Sequence, residues 1–317
     1  MKRILGKDLE VGAIGLGIMG MDHGYGEPAD RNEMKRLIAR SIELGGNLFD
    51  TAPVYGEQNE KLLGEALRGR RDRAVIATKF GITGQQIING KLENILDSSP
   101  RSIKRQVEIS LKNLQTDYID LYYQHRIDPN VEPEAVAQVM KELVKEGNIR
   151  HWGVSNAPIN YILKAHAVLP VTAMENQYSM LFRAPEKELF AFCERNNIGF
   201  VAYSPLANGF LSGKFNGTRG ESDLRNIMGR FRPKVMAKNQ AVIEYLKELA
   251  KAKNATPAQI VLAWHLAQRA FIVPIPGTTK MSRLEENLGA MKLNLSAEEL
   301  ANINAKLDEM DLDETHF

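Results

Sequence analysis

Eight short apolar runs separated by helical segments limit most strongly what this chain can fold into. They are AIGLG (13–17), NLFDTA (47–52), AVIATKF (74–80), YIDLYYQH (118–125), HWGVSN (151–156), TAMENQY (172–178), GFVAYSP (199–205) and FIVPIPG (271–277). Strands that alternate with helices pair in parallel, because each return needs a crossover. Most of the runs lack strict apolar–polar alternation, which suits strands covered on both faces. Eight such units predict an α/β fold closed into a (β/α)8 TIM barrel, with an open doubly wound sheet as the rival. A barrel of this kind takes up all 317 residues as one domain, 1–317.

The helical segments carry their own start and stop signals. Asp30 with Glu33 reads as a capping box, and Met34, Ile38 and Ile42 follow on one face up to Gly45-Gly46. Ser99-Pro100 opens a second helix with Ile103, Val107, Leu111 and Leu114 as its stripe. Pro133 opens a third, which stops near Gly147, and Thr256-Pro257 with Gln259 opens a fourth. Two helices exceed the eightfold count: one over 234–252, and one over 296–309 capped by Ser296 with Glu299. The opening segment RILGKDLEV precedes the first barrel strand and reads as a β-hairpin that plugs the barrel's N-terminal end.

Composition narrows the function classes. Lys plus Arg is 41 and Asp plus Glu is 39, a net charge of +2, which leaves no electrostatic footprint for nucleic acid or an anionic membrane. One cysteine, Cys193, excludes an intrachain disulfide and a cysteine-rich zinc site, and it reads as helix packing. The six histidines lack partners at ligand spacing, so no metal is expected. No apolar run approaches 18 residues and the N-terminus does not read as a signal peptide, so a cytoplasmic location is expected.

Gly15-Leu16-Gly17-Ile18-Met19-Gly20 is a literal G-x-G-x-x-G after a strand. A dinucleotide-binding turn needs a helix to open there, with its amides facing the pyrophosphate. Here the helix starts about ten residues later by the same capping signals, so the motif reads as a glycine-rich strand end.

Barrel active sites lie at the C-terminal ends of the strands. Asp50 is late in the second run, Tyr55 follows it, Lys79 ends the third and His125 ends the fourth. A lysine inside an apolar strand needs a partner. An ammonium lowers the pKa of a nearby phenol, an aspartate holds that ammonium charged, and a histidine orients a carbonyl oxygen. The set suits proton delivery to a carbonyl while hydride comes from a nicotinamide or flavin. Met19, Met21, His23, Tyr25, Phe210 and Phe215 are candidates for a substrate pocket or its rim.

On these residues the sequence resembles the aldo-keto reductase superfamily, from about residue 3 to 310. NLFDTAPVYG (47–56), IATKF, DLYYQHRID (120–128), GVSNA (153–157), ENQYS, YSPLANGFLSGK (203–214) and IPGTTKMSRLEEN (275–287) carry the resemblance. DLRNIMGRF (223–231) is most similar to the microbial and plant branch with pyridoxal reductases and perakine reductase-like enzymes. The resemblance implies Tyr55, Asp50, Lys79 and His125 as the catalytic set, and NADP(H) as cofactor. It implies that Ser155, Asn156 and Gln177 hold the nicotinamide amide and that Tyr203 stacks on the ring. Ser204, Leu206 and Gly209 are implied along the pyrophosphate, Lys280 and Arg283 at the 2′-phosphate, and Glu286 and Asn287 near the adenine. A helix start with two cations also favours a phosphate on physical grounds.

The expected function is reduction of a small-molecule aldehyde or ketone. Two rivals use the same residues: a Schiff-base aldolase with Lys79 as nucleophile, and a nicotinamide-binding sensor with little turnover.

Overall fold

The computed structural model describes residues 1–88, 91–215, 217 and 220–315. In chain order the strands and helices are β1 (Lys2–Leu5), β2 (Leu9–Gly12), β3 (Leu16–Gly17), α1 (Arg31–Glu43), β4 (Leu48–Asp50), α2 (Glu57–Ala66), β5 (Val75–Phe80), β6 (Ile82–Ile88), β7 (Lys91–Leu96) and α3 (Pro100–Leu114). They continue with β8 (Ile119–Gln124), α4 (Pro133–Glu146), β9 (Ile149–Ser155), α5 (Ile159–Val168), β10 (Ala173–Gln177), α6 (Leu189–Arg195) and β11 (Gly199–Tyr203). The last are α7 (Pro233–Lys238), α8 (Gln240–Ala252), α9 (Pro257–Gln268), β12 (Ile272–Pro274), α10 (Met281–Gly289) and α11 (Ala297–Glu309).

Eight strands form one parallel sheet in the order β12-β11-β10-β9-β8-β5-β4-β3. Its two ends meet: the Gly15 amide donates to the Pro274 carbonyl at 3.0 Å, and Gly17 bridges Gly277 in parallel. The sheet is therefore a closed (β/α)8 barrel; seven of its strands lie within the apolar runs, and β9 begins two residues before its run, at Ile149. Gly15 and Gly17 of the G-x-G-x-x-G stretch belong to this seam. A Cβ on Gly15 would stand 2.9 Å from the Leu48 carbonyl oxygen. After β3 comes a short 3-10 turn, Met19–Met21, and α1 begins only at Arg31, so no helix N-terminus faces the motif.

Two apolar clusters hold the fold. The larger lies between the sheet and its helices and takes in the stripes of α1, α3 and α4. Cys193 is buried within it on α6. The smaller fills the barrel: Leu48, Val75, Ala77, Leu121, Tyr123, Ala173, Val201, Val273 and Ile275 pack with Leu5, Leu9 and Val11 of the hairpin. β1 and β2 pair antiparallel, and Leu5 abuts Gly199 so closely that a Cβ there would meet the Leu5 Cα at 2.8 Å. The hairpin thus plugs the N-terminal end of the barrel, which keeps polar chemistry to the opposite mouth.

The helix signals hold with two corrections. Thr256–Gln259 and Ser296–Glu299 form reciprocal capping boxes on α9 and α11. At Asp30 the described bond is one-way, the side chain accepting from the Glu33 amide at 2.8 Å. The helix expected over 234–252 is two helices, α7 and α8. Asn239 between them is fully buried, and its side chain exchanges two hydrogen bonds with the Asp313 backbone, at 2.9 and 2.8 Å. The antiparallel pair β6–β7 was not anticipated from the sequence and lies outside the barrel.

The plug gives a direct stability test. Leu5 is fully buried. Leu5→Ala is expected to lower unfolding free energy by about 2–5 kcal/mol in urea titration. A loss under about 1 kcal/mol, the scale of an ordinary surface change, would mean that the hairpin is an appendage and not part of the core.

Candidate active site

The strand ends converge on one group of charges. Asp50 closes β4 and Lys79 is the fifth residue of β5, so neighbouring strands bring an acid and a base together inside the barrel. Lys79 Nζ stands 2.6 Å from Asp50 Oδ1 and 3.0 Å from the Thr51 carbonyl oxygen. A second carboxylate, Glu175 of β10, approaches the same nitrogen from across the barrel at 3.3 Å. All three side chains are at most 5% exposed.

Tyr55 is carried in by a tight turn. Pro53 opens a 3-10 turn, Pro53–Tyr55, and the Tyr55 amide bonds back to the Ala52 carbonyl at 3.1 Å. Gly56 follows at φ 115°, a conformation that side chains resist, and hands the chain to α2. Lys79 Nζ lies 5.3 Å from the centre of the Tyr55 ring. His125, one residue past β8, meets that ring edge-on at 6.0 Å. The four residues expected to act together therefore share one mouth. His23 stacks beside Tyr55 at 6.4 Å from the loop after β3. Met21 and Phe210 are buried in the larger apolar cluster.

Burial and charge set the protonation states. Burial alone would lower the Lys79 pKa, but Asp50 and Glu175 outweigh it and hold the ammonium charged well above its ordinary range. Burial raises the Tyr55 phenol, Lys79 offsets only part of this, and Asp50 and Glu175 add to the rise. From the sequence alone the Lys79 ammonium predicts a lowered phenol; desolvation reverses the net direction, so Tyr55 keeps its proton. His125 is held well below its usual value by burial, then by Lys79 and Arg126, and is neutral. Glu175 is pushed up to about 8, first by burial and then by Asp50.

The remaining expected residues form an arc around the mouth. Ser155 ends β9, buried, and accepts from Asn156 Nδ2 at 2.9 Å. Tyr203 ends β11 and donates to Asn156 Oδ1 at 3.1 Å. Gln177 ends β10, and its buried Nε2 has no partner among the described residues. Ser204, Leu206 and Gly209 follow β11 in a loop with left-handed backbone at Ser204, Ala207 and Asn208. Lys280 immediately precedes α10, and Arg283, Glu286 and Asn287 lie within it; Glu286 accepts from Lys214 Nζ at 2.6 Å.

Two residues were missed from the sequence. Glu175 is one. The other is Arg230, fully buried, whose Nη1 donates to Asn208 Oδ1 at 3.1 Å while Nε and Nη2 have no partner among the described residues. Burial lowers its pKa to about 10, and the neighbouring Tyr25 and Tyr203 phenols offset part of that fall. A buried guanidinium without a carboxylate is a place for an anion. The signal in the sequence was an arginine inside an apolar stretch, MGRF.

Comparison with known proteins follows this geometry. The Aldo/keto reductase family matches residues 13–308. Probable aldo-keto reductase 1 of Glycine max is 40% identical over 298 residues, covering 93% of this chain and 85% of that protein. Among solved structures, glycerol dehydrogenase from Gluconobacter oxydans superposes with a TM-score of 0.87 at 26% identity, covering 98% of this chain and 96% of its own. An aldo/keto reductase from Klebsiella pneumoniae, in complex with NADP and acetate, superposes with a TM-score of 0.77 at 26% identity over 99% of each chain. The barrel, the charge group in its mouth and these matches agree: the chain belongs to the aldo/keto reductase family.

Proposed function

We propose that this chain is an NADP(H)-dependent reductase of aldehydes or ketones, with Tyr55 as the proton donor. The observation that carries the reading is the Tyr55 ring set between the Lys79 ammonium and the neutral His125 imidazole. A carbonyl that gains hydride becomes an alkoxide, a far stronger base than a phenolate. A phenol with a raised pKa keeps its proton in the ground state and yields it to that alkoxide. Lys79 then stabilises the phenolate left behind, and Asp50 keeps Lys79 charged and in place. His125, uncharged, offers a ring N–H to the carbonyl oxygen without adding a cation.

The site suits a phosphorylated nicotinamide dinucleotide. The unpartnered donors of Gln177 and Arg230 await acceptors, and they are too deeply buried for water to compensate them freely. Ser155, Asn156 and Gln177 would hold the nicotinamide amide, with Tyr203 beneath the ring. Ser204, Leu206 and Gly209 would border the pyrophosphate, and Glu286 and Asn287 the adenine. Lys280 and Arg283, both exposed at the start of α10, would take the 2′-phosphate. When bound, the dinucleotide supplies the hydride. The NADP complex of the Klebsiella pneumoniae relative supports this choice. The Schiff-base rival needs a neutral, accessible amine, and Lys79 is buried between two carboxylates that keep it protonated.

Two experiments test the reading. Tyr55→Phe keeps the ring and removes the proton, so turnover with the best carbonyl substrate should fall about 10²- to 10⁴-fold. NADPH affinity, read from its fluorescence, should change little; near wild-type turnover would remove Tyr55 from its role.

The second concerns cofactor choice. Charge-assisted hydrogen bonds are worth about 1.5–3 kcal/mol each, roughly ten- to a hundredfold in affinity. Joint replacement Lys280→Ala with Arg283→Ala should weaken NADPH on that scale and leave NADH nearly untouched. Equal losses for both cofactors, or none for either, would mean that the phosphate is held elsewhere.

A further inference from the structure

The reaction centre holds one more acid than its base can neutralise. Lys79 contacts Asp50 Oδ1 at 2.6 Å and Glu175 Oε2 at 3.3 Å, and all three side chains are at most 5% exposed. The residues facing Glu175 supply no second close cation. Asp50 comes from β4, Tyr55 from the turn after it and Lys79 from β5. Tyr123 comes from β8, Tyr203 from β11, and Arg126 from just beyond β8. Arg126 is itself turned to the His125 carbonyl, at 2.7 Å, and to Ser155 Oγ, at 3.5 Å. Two buried carboxylates around one ammonium carry a surplus negative charge, and a low-dielectric interior removes such a charge by protonating one acid. Asp50 holds the shorter contact and Glu175 the longer, so the proton belongs on Glu175.

We propose that Glu175 is a proton-holding positioning residue of the reaction centre: as the neutral acid it leaves the Lys79 charge to Asp50 and Tyr55, and as the carboxylate it draws that charge away and suppresses carbonyl reduction. The event is a plain acid dissociation. Glu175 loses its proton to solvent, no electrons move, and no bond to substrate forms. Its effect passes through Tyr55. The phenolate formed on proton transfer is stabilised by Lys79, and a nearby carboxylate raises the energy of that phenolate. The direction of the Glu175 shift agrees, since burial and then Asp50 push it up to about 8. Ionisation then falls within the working range of a neutral-pH enzyme. This inference rests on the Tyr55 reading for its effect on rate, but not for the titration itself.

Three measurements on the full-length protein test it. In wild type, kcat for carbonyl reduction at saturating NADPH should fall as pH rises through about 8. In Glu175→Gln the inflection should move up by about one unit or more, whatever the absolute kcat. An unchanged inflection with a uniformly lower kcat is what a purely structural role gives, and it would overturn the proposal.

The second measurement uses the cofactor-free protein. A carboxyl with a folded pKa above its unfolded value of 4.5 contributes stability that is complete below that value and is lost as pH rises towards about 8. The melting temperature of Glu175→Gln relative to wild type should therefore climb between pH 5 and pH 8 and then level off, by about 4–8 °C. A flat difference across that range would contradict a proton held on Glu175.

The third needs no variant. In wild type labelled with carboxyl-13C glutamate, one side-chain signal should titrate between about pH 7 and 9. If every glutamate signal titrates below pH 6, the proposal fails. Should Tyr55→Phe prove active, the function reading falls while the melting and NMR results still report on Glu175.

Discussion

The fully buried Lys79 is the constraint around which the rest of the molecule is arranged. An ammonium without water requires counter-charge within a few ångströms, and removing a partner from such a pair costs about 3–5 kcal/mol. Asp50 reaches it because β4 and β5 are neighbours in register, Asp50 opposite Ala77. Glu175 reaches it only because the sheet closes, since β10 lies on the far side of β8 and β9. Closure of the barrel and assembly of the charge group are thus one event. The hairpin contributes from below: Leu5, Leu9 and Val11 fill the N-terminal end of the barrel, and the charges lie at the other ends of its strands.

Above the charges, the mouth is built from irregular backbone that side chains tie down. Asn156, Ser204, Ala207 and Asn208 all adopt left-handed conformations. Hydrogen bonds from Tyr203 to Asn156, from Arg230 to Asn208 and from Asn208 to Tyr25 link the loops after β9, β11 and β3. Strain of about 1–3 kcal/mol at each such residue persists only where its surroundings over-determine it. A rim held this way presents its donors in fixed directions before any ligand arrives, which is the preorganisation that electrostatic catalysis requires.

Much of this was legible in the sequence, for physical reasons that also explain what was not. Parallel strands covered on both faces leave continuous apolar runs, so all eight barrel strands could be counted. Asp50, Tyr55, Lys79 and His125 stand at the ends of such runs, where a polar residue is conspicuous. Glu175 stands in a run as well, but its partner Lys79 is three barrel strands away, and no local pattern links the two. Alternation offered the clue: Glu175 shares the inward face with Ala173, which packs inside the barrel. The β6–β7 pair escaped because its described residues are mostly exposed and form no apolar run, although Asn89-Gly90 between the strands is a turn signal; residues 89 and 90 themselves lie outside the described residues. The break at Asn239 depends on Asp313, 74 positions later, and a helical pattern cannot announce it.

The seam of the barrel has a consequence for how this chain can vary. Elsewhere in the interior, aliphatic side chains meet one another, and one volume can be exchanged for another with repacking. At the seam β3 is only two residues long, Gly15 and Gly17 meet β12 and the residues after it backbone to backbone, and Pro274 has no amide to give. Side-chain neighbours such as Ile275, 2.9 Å from a Cβ on Gly15, could be traded, but the backbone could not. A methyl group at Gly15 or Gly17 pushes against carbonyl oxygens at 2.9 and 3.1 Å, and no neighbouring substitution relieves a clash with backbone. Across a lineage the wall of the barrel is therefore free to drift while its clasp is not, and the part of the sequence that looks like a nucleotide-binding signature is held in place by geometry alone.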